Sequence, residues 1–350
     1  MNKSEIDMKN NLRLYLKLGV FLPLMALVLS CSADKNPLLD FSDPFGDSGE
    51  ENHPVPALKD SQRPILISEQ SEGQVVIIDS LSKGILWTWK ASEHLSATQA
   101  AWFREIDEAK AVYQKQYVLL TASSGGVALI RISDKKIMFY TRDVGSPHSA
   151  ELLPDGNIVM ASSTSSNGLG DALKLYKVDS LKAYVEQEYK RYNHTFAHNV
   201  VWDHKKNILW STDDQYLYTF TYENKDGDLN LIKGATFYPL PDKDPHDMFP
   251  VYGKEELYLT TGSKIYIFDI AKEKFTEHPY SKRNIKSISD GPAGFGTLII
   301  EPTTSYWTNR VTNSRGSSAF FKDSYKMYKA RWFIDNPFSY PSDHLYRQTK

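Results

Sequence analysis

Short apolar runs, broken by Gly, Asp, Asn and Lys, fill residues 63–335, and long helical periodicity is scarce among them. Gln74-Val-Val-Ile-Ile-Asp79 is followed by Ser-Leu-Ser-Lys-Gly and then by Ile85-Leu-Trp-Thr-Trp. Val127–Asp134 leads to Ile137-Met-Phe-Tyr, Leu173–Asp179 to Lys182-Ala-Tyr-Val, and Lys264–Asp269 to Lys274-Phe-Thr. Each unit reads as a strand, an Asp-containing turn and a return strand. Asp suits the turn because its carboxylate accepts hydrogen bonds from the backbone N–H groups just beyond it. Only Ser92–Lys110 and Ser180–Arg191 admit short helices.

A second recurrence lies between these units. A basic residue opens a short strand in Lys110-Ala-Val-Tyr, His148-Ser-Ala-Glu-Leu-Leu, His198-Asn-Val-Val-Trp, His246-Asp-Met-Phe-Pro-Val and Lys286-Ser-Ile-Ser. Apolar runs follow at Tyr117–Thr121, Asn157–Ala161, Asn207–Trp210, Glu256–Thr260 and Thr297–Ile300. The five basic residues are 38, 50, 48 and 40 positions apart. Together the two recurrences predict a four-stranded antiparallel unit of β-propeller blade length. A β-sandwich offers no reason for such regular spacing. The fold expected is therefore all-β, a propeller of six blades, with five or seven as the alternatives. The run Tyr325–Phe333 is strand-like and completes the first sheet, closing the ring without exposed edges.

The strings His148-Ser-Ala-Glu-Leu-Leu-Pro-Asp-Gly-Asn-Ile-Val, Thr121-Ala-Ser-Ser-Gly-Gly-Val-Ala-Leu-Ile and Tyr328-Lys-Ala-Arg-Trp-Phe resemble an uncharacterised family of secreted bacterial β-propeller lipoproteins. That resemblance implies the propeller fold and export, and brings no activity with it. A looser resemblance, at the level of a histidine-lined channel, is to oligogalacturonate lyases, which hold a divalent metal beside the bound uronate. Their catalytic motif does not map onto this chain.

The first residues change the picture of where the body works. Lys9, Arg13 and Lys17 precede the apolar run Gly19–Leu29, then Ser30 and Cys31. The run is too short to span a bilayer and follows the order of a secretory signal, expected over residues 1–30. Val28-Leu29-Ser30-Cys31 resembles the lipobox of bacterial lipoproteins, which makes Cys31 the expected lipidation site and membrane anchor. It is the only cysteine in the chain, so no disulfide can form. Residues 31–62 hold Asp34, Asp40, Asp43, Asp47, Glu50, Glu51 and Asp60 among four prolines, the composition of a disordered acidic tether. The body then spans 63–335, with a tail at 336–350. An outer-membrane lipoprotein of the cell envelope, monomeric, is the expected state. The net charge of −2 gives no reason to expect nucleic acid as a partner.

In a propeller the innermost strands run along the channel in one sense, so the residues that open them gather at one mouth. Lys110, His148, His198, His246 and Lys286 would make that mouth electropositive and suited to an anionic ligand, uronic or sulfated sugars among them. His148, His198 and His246 are also candidate ligands for a divalent metal. Alternatively, each histidine bonds a neighbouring blade and fixes packing. Lysine at the first and fifth positions favours anion binding over a ring of metal ligands. Nucleophile-elbow, P-loop and dinucleotide motifs are absent from the sequence. A lyase acting on uronates would take one of the three histidines as base, Tyr113 as proton donor and Lys110 or Lys286 as charge stabiliser. Trp102 either stacks on a sugar or covers the core beneath its loop. Asp203 and His204 read as a solvated turn, and Trp307 and Arg310 as structural. Three functions follow: an anionic-glycan binder, a metal-assisted polysaccharide lyase, and a protein-interaction scaffold with an inert channel.

Overall fold

The computed structural model describes residues 59, 61–179, 181–186 and 189–342. The expected signal segment, Cys31 and nearly all of the tether lie outside them. The strands form six four-stranded antiparallel sheets, which are the blades of a β-propeller. Blades 2 to 6 run from the inside outward in chain order. Their inner strands are Ile106–Val112, Pro147–Leu152, Asn199–Asp203, Asp247–Pro250 and Ser287–Ser289. Blade 1 is built from both ends of the body. The late strand Met327–Trp332 lies innermost and pairs with Pro64–Glu69, matching Ile65 to Trp332 and Leu66 to Arg331. The six inner strands pack side by side in a closed circuit, which settles the count at six.

The strands read as apolar runs because most have a blade packed on each side. Tyr117–Ala122 and Gly126–Arg131 of blade 2 are buried along their whole length. Polar alternation returns only in outer strands such as Ile137–Arg142. The core is accordingly a set of layers between blades. Trp202, Leu209 and Phe220 meet Val159, Leu173 and Leu175 between blades 4 and 3. Trp202 is fully buried, and removing a side chain of that size from water contributes about 4–6 kcal/mol. The Asp turns form as expected. The Asp79 carboxylate accepts from the amides of Arg63, Leu81 and Ser82, and Asp269 from those of Ala271 and Lys272.

Two local expectations are corrected. Ser92–Lys110 holds short helices as expected, Ala91–His94 and Ala97–Ala100 with a 3-10 turn at Ala101–Phe103, but the inner strand of blade 2 begins already at Ile106. Lys110 is therefore well inside that strand and does not open it. Ser180–Arg191 has no helix among its described residues. Its backbone instead covers the edge of blade 2, where Tyr140 N–H donates to Ala183 O and Val185 N–H to Tyr140 O. Covering an exposed edge in this way blocks pairing with other chains. The return strand of blade 3 consequently falls at Tyr189–Asn193, later than Lys182-Ala-Tyr-Val. Past the last blade, Tyr340 donates its hydroxyl to Glu151, and Phe338 O accepts from His204 N–H. None of the helices among the described residues is long and apolar enough to cross a membrane.

Candidate functional site

A recurring bond fixes which positions are equivalent around the channel. The side chain of Ser149 accepts from Val200 N–H of the next blade, Asp247 from Ile288 N–H, and Ser287 from Ala330 N–H. Ser149, Asn199, Asp247, Ser287 and Lys329 thus share one level. Glu108 joins them because it pairs with Thr121 as Asp247 pairs with Thr260. One residue earlier on each strand lies the mouth ring: Asp107, His148, His198, His246, Lys286 and Tyr328. Of the five basic residues picked out in the sequence, four fall in this ring. Lys110 falls three residues further along its strand, and Asp107 takes its place.

Local backbone geometry aims the ring. The ladder slips at Asp107 and at His148, so each is the extra residue of a β-bulge. Bulges turn a side chain out of its regular alternation. Two residues before four of the ring positions the chain takes a left-handed conformation, at Ser146 (φ 65°), Phe196 (φ 53°), Asp244 (φ 63°) and Asn284 (φ 58°). Such conformations cost non-glycine residues about 1–3 kcal/mol and are found where a structure holds a clamp in place. The reversed carbonyls then steer the rings. His148 Nδ1 lies 3.0 Å from Ser146 O and His198 Nδ1 lies 3.2 Å from Phe196 O. A carbonyl can only accept, so both neutral rings carry the proton on Nδ1 and offer a lone pair at Nε2.

The ring residues converge. The imidazoles of His148 and His198 are 4.4 Å apart between centroids, those of His198 and His246 6.0 Å, and Phe196 stacks on His198 at 4.0 Å. Burial pushes His148 down to about 4 and His198 and His246 down as well, so all three are neutral at pH 7. Lys286 Nζ lies 2.9 Å from His246 Nε2, and that nitrogen is also 3.1 Å from Asp244 Oδ2. Burial lowers Lys286 to about 8 and raises Asp107 to about 8. At neutral pH the mouth therefore holds one ammonium, a protonated carboxyl and a tyrosine hydroxyl on one side, facing imidazole lone pairs on the other. Two buried side-chain polar atoms of the ring have no hydrogen-bond partner: Asp107 Oδ2 and His246 Nδ1. The described residues contain no group of three or more His, Cys, Asp or Glu placed to hold a metal ion. The three histidines thus share a mouth without forming a ligand set.

Below the ring the channel is filled by ions. Arg331 donates to both oxygens of Asp247, at 2.6 and 3.1 Å, and to Glu108 at 2.7 Å. Lys329 lies 3.0 Å from Asp247 and 3.3 Å from Glu108. Lys110 reaches Glu151 at 3.0 Å, Glu108 at 3.4 Å and Val200 O at 2.7 Å. Burial alone would raise Glu108, yet Lys110, Lys329 and Arg331 hold it below its ordinary value. Burial wins at Glu151, which rises to about 7 despite Lys110. Three cations face three carboxylates, so this layer adds little net charge to the mouth. Sequence reading missed it, although Glu108-Ala-Lys110 and Lys329-Ala-Arg331 place charges two apart within apolar strands, on one face.

The remaining residues singled out in the sequence fall elsewhere. Trp102 packs against Tyr140 and Tyr184 and covers the core. Tyr113 is buried in the layer between blades 2 and 3. Asp203 is not solvated: it is buried and accepts from Trp210 Nε1. Trp307 lies under Lys326, and Arg310 over Phe321. At the opposite end of the channel is a cavity of about 300 Å³ walled by Phe249, Trp332, Phe338, Asp203, Asp290 and Arg331. Its charged groups are already engaged. Asp290 accepts from Tyr252 N–H, and the guanidinium of Arg331 lies 3.9 Å over the Phe249 ring while it pairs with Asp247.

Comparison with known proteins extends the fold and stops there. A crystal structure of a protein of unknown function from Bacteroides caccae matches with a TM-score of 0.50 at 13% identity, covering 79% of this chain and 100% of that one. A chain of the mitotic checkpoint complex matches at 0.44 and 11% identity over 66% of each chain. Hydrazine synthase of Kuenenia stuttgartiensis matches at 0.40 and 12% identity, over 59% of this chain and 61% of its own. At these identities the likeness is one of fold alone. No curated protein matches. The model of a family of unknown function, DUF6528, matches residues 14–349, nearly the whole sequence, and the chain belongs to that family.

Proposed function

We propose that this chain is an exported propeller, anchored through a lipid on Cys31, that binds an anionic, hydroxyl-rich ligand such as an acidic sugar at the mouth formed by Asp107, His148, His198, His246, Lys286 and Tyr328. One observation carries the reading. Among the described residues the buried cations are Lys110, Arg131, Lys174, Lys286, Lys329 and Arg331. Each of the others lies within ion-pair distance of a carboxylate, whereas Lys286 has only His246 as a hydrogen-bond partner. A buried ammonium whose nearest carboxylate, Asp244, stays beyond ion-pair distance is costly, and the acid group of a ligand would complete it. Asp107 and Tyr328 add donors for the same group. The lone pairs of His148 and His198 would accept from ligand hydroxyls, which favours a sugar acid over sulfate or phosphate alone.

The geometry gives no particular support to a metal-assisted lyase, since His246 Nε2 is engaged by Lys286 and Asp244. Isothermal titration with galacturonate, glucuronate and their neutral parent sugars tests the proposal. The acids should bind, the neutral sugars should not, and Lys286→Met should abolish binding while the protein stays folded. Equal binding of acid and neutral sugars, or full affinity in Lys286→Met, would overturn it.

A further inference from the structure

Blade 4 carries an aromatic cluster that extends outward from the core layer it shares with blade 3. Tyr216 and Tyr218 alternate with Leu217 on the strand Tyr216–Lys225, and Phe237 stands opposite Tyr218 on the outermost strand. The ring centroids are 5.0 Å apart for Tyr216 and Phe237, 5.8 Å for Tyr218 and Phe237, and 5.9 Å for Tyr216 and Tyr218. On the other face of the sheet, Leu217 and Tyr238 pack into the layer with blade 5. Tyr218 is rooted on His194 at 5.5 Å, while Phe237 remains 52% exposed. An exposed aromatic backed by two half-buried ones offers a contact surface.

The cluster lies at the mouth end of its blade. Asn199, directly after His198 of the ring, pairs with Thr212, and the chain then turns through Asp213 into Tyr216. The connection from blade 3 into blade 4 links the two places. His194 packs on Tyr218, and two residues later Phe196 stacks on His198. Strand spacing puts the third and fourth strands of a blade about 10–14 Å from the first. That is the reach of a short oligosaccharide rather than of a single sugar. Lys233 Nζ stands 3.4 Å over the Tyr218 ring and supplies positive charge beside the cluster. Asp213 accepts from the amides of Gln215 and Tyr216 and from the Tyr218 hydroxyl, so its carboxylate is occupied within the turn. Asp214 is the other acidic group close to Tyr218.

We propose that Tyr216 and Phe237, backed by Tyr218, form an outer subsite that packs on a sugar ring of an acidic oligosaccharide whose terminal acid group sits in the mouth beside Lys286. Sugars present apolar C–H faces that suit aromatic rings. The inference rests on the mouth binding an anion, and the experiment separates the two. Galacturonate and tetragalacturonate are titrated into the wild type, Phe237→Ala, Tyr216→Ala and Lys286→Met, with circular dichroism checking that each variant is folded. The tetramer should bind wild type about tenfold tighter than the monomer, the scale of one good aromatic contact. Phe237→Ala and Tyr216→Ala should each erase most of that preference and leave the monomer's affinity unchanged. Persistence of the preference in both variants, its absence in the wild type, or equal loss of monomer and tetramer binding would overturn the subsite. Unchanged binding of both ligands in Lys286→Met would instead overturn the mouth.

Discussion

Lys286→Met should make the protein more stable while it removes the proposed ligand contact. Lys286 is 8% exposed, and its ammonium bonds an imidazole while the Asp244 carboxylate acts on it from beyond ion-pair distance. Its fall from 10.5 to about 8 corresponds to about 3 kcal/mol against the charged form. The unfolded chain keeps this proton up to the ordinary lysine range, and the folded protein releases it near pH 8. Between those values the unfolded state binds more protons, so stability rises with pH; below pH 8 the whole penalty is present. Methionine matches the lysine stem in length and carries no charge. At pH 7 the variant should therefore gain up to about 3 kcal/mol, a rise in Tm of roughly 6–12 °C for a chain of this size. The gap should narrow by about 2 kcal/mol between pH 7 and pH 9.5. Urea unfolding of both proteins at the two pH values measures it. A variant less stable than wild type at pH 7, or a gap that ignores pH, would refute the assignment of Lys286 as a buried charge short of a direct ion-pair partner. Stability gained as binding is lost is the usual sign of a residue kept for function.

The ion layer should respond the opposite way. Arg331→Met leaves Glu108 and Asp247 short of a partner and should cost about 3–5 kcal/mol by urea unfolding at pH 7; a change below about 1 kcal/mol would mean that the layer relaxes freely. Ser146→Gly relieves a left-handed φ of 65° and should raise stability by about 1 kcal/mol, whereas Ser146→Val should lower it. Asp107 retains its proton up to about pH 8, well above an unfolded aspartate. Folded protein then binds the extra proton between pH 4 and 8, so that this group's contribution falls as pH rises through that window. Asp107→Asn should flatten the profile between pH 5 and 8, and an unchanged slope there would show that Asp107 ionises normally.

Blade boundaries were legible because their causes are local or periodic. The Asp turns at Asp79 and Asp269 are set by a carboxylate reaching amides two or three residues on. The middle strands are apolar throughout because any blade packs on two sides. The closing strand at the end of the body was readable for the same reason. Two placements failed where tertiary context outweighed local pattern. Lys182-Ala-Tyr-Val has strand character, but its backbone was recruited to cap the edge at Tyr140. Lys110 resembles the later ring residues in sequence, yet the bulge at Asp107 sets the level of that strand.

The sequence by itself determined the fold class, the repeat length, the closure of the ring by its two ends and the proximity of His148, His198, His246 and Lys286. Those follow from periodicity and from a rotation that repeats one unit around an axis. Which charges cancel is a different kind of fact. Lys110, Lys286, Lys329 and Arg331 are alike as letters. Three of them meet Glu108, Glu151 or Asp247, and one does not, because the partners come from blades 2, 3 and 5, remote in sequence. Only the tertiary structure brings those strands to one channel, and so only it decides that Lys286 is the buried charge left without a carboxylate at ion-pair distance.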